Sequence, residues 1–196
     1  MPAVPEPKIP DLPPYSLDVE AMDLGAGTKA VGLELIETES REPLRGAQAA
    51  HIWSEAFPAL AGNEPMALDF FSHLDRVREF CKNHRIDFRE SANRCLVIPQ
   101  PSVAHLRELL ERFEGETFGV RVGPTATQED TALENELSSR GVDAYQGAYS
   151  RYTFCAISEP SDGWLTLLSE TLWPCEIIRR VRPALQPFDV YIARPQ

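Results

Sequence analysis

Two successive β-α-β-β-α-β passes, and hence an α+β protein with antiparallel sheets, are what this sequence predicts, and three observations carry the expectation. Hydrophobic periodicity switches along the chain between the two-residue period of strands and the 3.6-residue period of helices. From about residue 65 onward the same order of elements is read twice, which marks an internal repeat. The first 26 residues stand apart, with Pro2, Pro5, Pro7, Pro10, Pro13 and Pro14 fixing φ and removing backbone donors.

Residues 1–26 are expected to be an extended, polyproline-like arm, because this proline density excludes a helix or a central strand. Val4, Ile9, Leu12, Tyr15, Leu17, Val19 and Met22 make the arm more apolar than a spacer requires. Residues 27–124 form the first expected unit and 125–196 the second, packed as one globule. Val31, Leu33 and Leu35 alternate along 30–37 and read as a strand. A helix is expected from Pro43 to Phe57, ending near Pro58 and Gly62, and another from Pro65 to Lys82 with Phe70, Leu74, Val77 and Cys81 on one face.

Short strands are expected at Ile86–Glu90 and Arg94–Ile98, then a helix capped by Ser102 with Val103, Leu106, Leu110 and Phe113 inward. Phe118–Val122 closes the first pass as a strand. In the second pass, Thr127–Asp130 reads as a capping sequence, opening a helix through Leu133 and Leu137 that Gly141 ends. Strands follow at Val142–Tyr145 and Tyr152–Ile157. A helix is expected from Ser161 or Asp162 through Leu172 to a stop at Pro174, and strands at Cys175–Val181 and Phe188–Ala193. Ile86-Asp87 aligns with Val142-Asp143 and Arg94 with Arg151, so the passes read as two ferredoxin-like units in tandem, with the helices on one sheet face.

Phe118–Tyr145, reading FGVRVGPTATQEDTALENELSSRGVDAY, resembles the half-repeat of SPOR domains, where a strand ending in a V-G-P-like turn precedes a helix and a Gly-ended loop. The resemblance covers about 28 residues. It implies the same kind of α/β unit and, as a function, binding of peptidoglycan glycan strands outside the cytoplasmic membrane. Met1–Tyr15 carries no basic region followed by an apolar stretch, so the export that this function needs is not expected. The expected location is the cytoplasm.

The chain has 196 residues and a formal net charge of −11. That balance disfavours nucleic acid and anionic membranes as partners, since both are recognised through clustered positive charge. Cys81, Cys95, Cys155 and Cys175 include no Cys-x-x-Cys pair, so they read as free, mostly buried thiols. No nucleophile elbow, phosphate-cradling loop or His-Glu-x-x-His motif is present, and Gly25-Ala26-Gly27-Thr28 lacks the third glycine of a dinucleotide fingerprint. Cys81-x-x-His84 is a pair without a second pair, and His51, His73 and His105 are scattered, so no metal site is expected. No catalytic set and no cofactor are expected.

Tyr145, Tyr149, Arg151 and Tyr152 concentrate the residue types that anchor protein interfaces. With Ile9, Leu12 and Tyr15 of the arm they form the expected interaction set. The functional expectation is a non-catalytic protein-interaction protein, an adaptor, assembly subunit or acidic inhibitor. Its partner is another protein or a second copy of this chain. The alternative is a small-molecule-sensing regulator with a cleft between the two units, and an enzyme with an unrecognised site ranks below both.

Overall fold

The computed structural model describes residues 13–24, 29–91, 95–158 and 165–193. The protein is α+β, with a nine-stranded mixed sheet and six α-helices among the described residues. The strands are β1 Tyr15–Asp23, β2 Lys29–Glu37, β3 Met66–Phe70, β4 Arg89–Glu90, β5 Leu96–Pro99, β6 Phe118–Val122, β7 Phe154–Ser158, β8 Leu165–Leu168 and β9 Val190–Ile192. The helices are α1 Gly46–Ala61, α2 Leu74–His84, α3 Val103–Arg112, α4 Thr131–Arg140, α5 Ala144–Ala148 and α6 Pro174–Leu185. Spatial strand order is β4-β5-β3-β6-β7-β8-β2-β1-β9, antiparallel throughout except that β9 lies parallel to β1.

Alternation explains which face each strand residue serves. Met66, Leu68 and Phe70 of β3, Phe118, Val120 and Val122 of β6, and Leu165 and Leu167 of β8 point to the larger core. There they meet α1, α2, α3 and α6 through Ala50, Phe57, Val77, Cys81, Leu106, Leu110, Ile177, Val181 and Leu185. Phe70, Phe113 and Phe80 pack edge to face in series, at centroid separations of 5.6 and 5.4 Å. Burying each such side chain contributes about 1.5–3 kcal/mol. The opposite sheet face carries small residues, Ala67, Cys95, Gly119 and Cys155, and is covered by α4 and α5 through Leu133, Leu137, Ala144, Tyr145 and Ala148.

A regular order of elements runs between β3 and β6. That segment runs β-α-β-β-α-β, and Ser102 caps α3 by accepting from the His105 amide. Met66–Phe70 is a strand where a helix start is expected. Pro65 precedes a five-residue run buried at every position, and a run that short and that apolar suits a central strand.

The second unit departs further. Val142–Tyr145 is helical, a 3-10 turn at Gly141–Asp143 leading into α5, whose Tyr145 is drawn down onto the sheet by its bond to Asp69. Leu165–Leu168 is a strand instead of a helix. Cys175–Val181 lies in a helix instead of a strand, since Pro174 occupies the first helical turn, where its missing N–H costs nothing, and so starts α6. Within 118–145, strand 118–122, helix 131–140 and the Gly141 stop appear as expected, and the strand expected at 142–145 does not.

The boundaries shift accordingly. Tyr15–Asp23, expected within the arm, is a full member of the sheet, its Leu17 and Val19 buried while Glu20 stays exposed. Residues 1–12 of the expected arm, with Ile9 and Leu12, lie outside the described residues. The two units share one sheet, because β6 pairs along its whole length with β7 across the 124/125 boundary.

Candidate functional site

Two charged residues interrupt otherwise apolar central strands, Asp69 in β3 and Arg121 in β6, and both are fully buried on the face under α4 and α5. Asp69 stands opposite Gly119, so Arg121 reaches it along the diagonal, donating to Oδ1 at 2.7 Å. Tyr145 of α5 donates to Asp69 Oδ2 at 2.5 Å. Gly119 makes this possible: a Cβ there would sit 2.0 Å from the Tyr145 hydroxyl oxygen. From α4, the buried Glu134 accepts from Arg121 at 3.2 Å and from both guanidinium ends of Arg89, on β4. Asp130, the N-cap of α4, accepts from Tyr152 at 2.6 Å and Arg151 at 2.8 Å. The Tyr152 hydroxyl also accepts from Arg121 at 3.4 Å.

Three carboxylates thus face three guanidinium groups, which is how buried charge is tolerated. Burial pushes the Asp69 carboxyl up, against the opposing pull of Arg121 and Tyr145. Burial also works against ionised Glu134, but its bonds to Arg89 and its closeness to Arg121 hold it below the usual carboxylate range. Asp130 is likewise held low by Tyr152, the Leu133 amide and Arg151 in spite of burial. The Tyr145 and Tyr152 phenols are raised, by burial first and then by the carboxylate each one meets. Raised phenols and the depressed Glu134 and Asp130 thus tie β3, β6 and α4 together by charge-assisted hydrogen bonds, while burial works against the charge of Asp69.

The second candidate is an apolar crevice on the other sheet face. Leu44, Ala49, Ala50, Trp53 and Phe57 form one wall, and Leu110, Phe118 and Leu165 form the other, around a cavity of about 100 Å³. That is the scale of one side chain, whereas a drug-sized ligand takes roughly 300–1,000 Å³. It lies between α1 and the end of α3, both in the first expected unit, and Ser158 and Leu165 of the second complete its lining. Its rim carries Arg45, Ser158 and Glu114, and Glu114 accepts the Gly46 amide at 2.5 Å. A shallower polar concavity of about 380 Å³ opens beside α4, lined by Gln128, Glu129, Asp130, Thr131, Arg151 and Tyr152, where Asp130 and Arg151 already pair with each other.

The expected interaction residues are separated by the structure. Tyr145 is fully buried and Tyr152 nearly so, each committed to a carboxylate, so neither belongs to an exposed recognition surface. Tyr149 is half-buried against the smaller core, Arg151 is exposed and paired with Asp130, and Tyr15 packs on the larger core at the start of β1. Sequence reasoning missed Asp69, Arg121 and Glu134; the signal was a single charge set inside each of two apolar strand runs, MALDF and FGVRV.

Cys81 is buried, and burial pushes its thiol up to about 11. His84 is bonded to Glu108 and stacked on Phe80, so the Cys81-x-x-His84 pair does not converge on one point. Among the described residues, no group of three His, Cys, Asp or Glu side chains is placed to hold a metal ion, and no helix is long and apolar enough to cross a membrane. No family model, curated protein or solved structure matches the chain.

Proposed function

We propose that this is a non-catalytic protein-interaction protein, an adaptor, assembly subunit or inhibitor, whose crevice between α1 and α3 receives one apolar anchor side chain of a protein partner. The observation that carries the reading is the match between a side-chain-sized, apolar-walled cavity and the way interfaces concentrate energy in one buried anchor. Trp53, Phe57 and Phe118 supply dispersion contacts, while Arg45 and Glu114 at the rim give a polar border that excludes water around the anchor. A net charge of −11 favours a partner with a basic surface, through encounter rate more than affinity.

The β-α-β-β-α-β order of β3 to β6 supports reading that half as one ferredoxin-like unit. The remaining elements extend the same sheet in a different strand order. The alternative, a small-ligand sensor, draws on the same crevice, because it lies where the two expected units meet.

A displayed peptide library panned against the full chain tests the reading, with the Trp53 fluorescence of selected peptides measured in a variant whose other tryptophans are Phe. Selected peptides should share one aliphatic or aromatic residue, and Ala49→Met, which fills the cavity, should abolish binding. Apolar fragments that raise the melting temperature, with no peptide selected, would favour the sensor. Peptides that bind Ala49→Met as well as the parent would refute the crevice as the site.

A further inference from the structure

The buried charges are arranged so that one segment is held down as a body. Residues 130–152 leave the sheet after β6 and return to it before β7, and their two ends are tied to each other where Asp130 meets Arg151 at 2.8 Å and Tyr152 at 2.6 Å. Between these tied ends, α4 and α5 reach the sheet through the apolar Leu133, Leu137, Ala144 and Ala148 and through polar grips, Glu134 on Arg89 and Arg121, and Tyr145 on Asp69. The floor beneath carries the small Ala67, Gly119, Cys95 and Cys155 beside Val97, Ile157 and Leu168, with the buried charges set among them. A charged group that loses a buried partner on opening regains water, so undocking this segment costs less than undocking an equal area of apolar core. The larger core, with Cys81 in it, lies on the other side of the sheet and is not touched by such a motion.

We propose that residues 130–152 are a strap that opens as one unit about its tied ends while the sheet stays folded, uncovering Asp69, Arg121, Cys95 and Cys155. The strap therefore acts as an intramolecular cover: Glu134 and Tyr145 occupy, in the closed state, the guanidinium and carboxylate that a competing ligand would have to engage. This inference is independent of the crevice, which lies on the opposite sheet face.

The four thiols report on it directly. The exposed Cys175 reads the reagent, Cys95 and Cys155 read the strap, and Cys81 reads global unfolding. The full chain is treated with a neutral thiol reagent under native conditions, and labelling at each cysteine is followed by peptide mass spectrometry. Cys175 should react first, Cys95 and Cys155 next with a shared rate, and Cys81 last.

Tyr145→Phe and Glu134→Gln keep side-chain volume and weaken one grip each. Either should raise the Cys95 and Cys155 rates roughly tenfold or more, the scale of losing a hydrogen bond to a charged group, with Cys81 unchanged. In the same variants, amide exchange in α4 and α5 should speed up together while that of β3 and β6 holds. Labelling of Cys95 and Cys155 at the Cys81 rate in the unmodified protein would overturn the proposal. So would variants that move all three buried cysteines in step. If a variant does not fold, the order of labelling in the unmodified chain decides alone.

Discussion

Gly119→Ala is the most informative single substitution, because its effect is fixed by one close approach. The added Cβ would lie 2.0, 2.3 and 2.5 Å from Oη, Cζ and Cε2 of Tyr145, and a ring locked by its bond to Asp69 cannot give way by a few tenths of an ångström. Tyr145 must leave its slot. Re-exposing a buried aromatic side chain costs about 1.5–3 kcal/mol. Taking a donor from a buried carboxylate adds about 1.5–3 kcal/mol. Gly119 sits in ordinary strand conformation, so alanine returns about 0.4–1 kcal/mol through the unfolded chain.

The net loss is about 2–5 kcal/mol, or roughly 4–20 °C in melting temperature for a chain of this size. Urea unfolding of Gly119→Ala, Tyr145→Ala and the double variant measures it. In the Tyr145→Ala background the obstacle is gone, so Gly119→Ala should cost less than about 0.5 kcal/mol there. An equal cost in both backgrounds would refute the assignment of the penalty to the Tyr145 ring.

Acid should weaken the fold through Asp130 and Glu134, both held below their ordinary range. A depressed carboxyl contributes stability that is present above the unfolded value, near pH 4, and is lost as pH falls through the folded value, whereas the raised Asp69 has the opposite sign and softens the loss. Urea midpoints that stay flat from neutral pH down through that window would contradict this. Ser102→Ala, which removes the cap on the His105 amide, should cost about 1 kcal/mol in the same assay, and an unchanged midpoint would count against the cap. Glu34 stands directly across from Asp18, and burial together with Asp18 raises its carboxyl. Glu34→Lys should therefore stabilise by about 0.2–1 kcal/mol, shown by a higher urea midpoint that falls back with added salt.

Elements whose signal is local were legible in the sequence. The alternation of Val31, Leu33 and Leu35 marks β2, and Ser102 with Leu106 and Leu110 marks α3, because period and cap act within one turn or one strand. Leu165–Leu168 was not legible as a strand, since three leucines within four residues satisfy either period. Pro174 was ambiguous for a physical reason as well: a proline ends one helix and begins another with equal ease, and only Ile177, Val181 and Leu185 at four-residue spacing resolve it. The polar clamp depends on register. Asp69 and Arg121 are neighbours only because β3 and β6 pair with Asp69 opposite Gly119, and no local rule places residues that far apart in sequence on one diagonal. Tyr145 and Tyr152 were visible as unusual, and their destination was set by those two partners.

The parallel docking of β9 against β1 has a kinetic side. Tyr15, Ser16 and Leu17 pair with Val190, Tyr191 and Ile192, so this end of the outer edge of β1 stays bare until nearly all of the described chain has been made. Closing so long a loop is slow, and an open strand edge meanwhile invites other chains. A chain released before β9, or one with β9 interrupted by a proline, would present that edge permanently, and its failure would appear as aggregation during synthesis before any loss of α6 or the helical core was measurable.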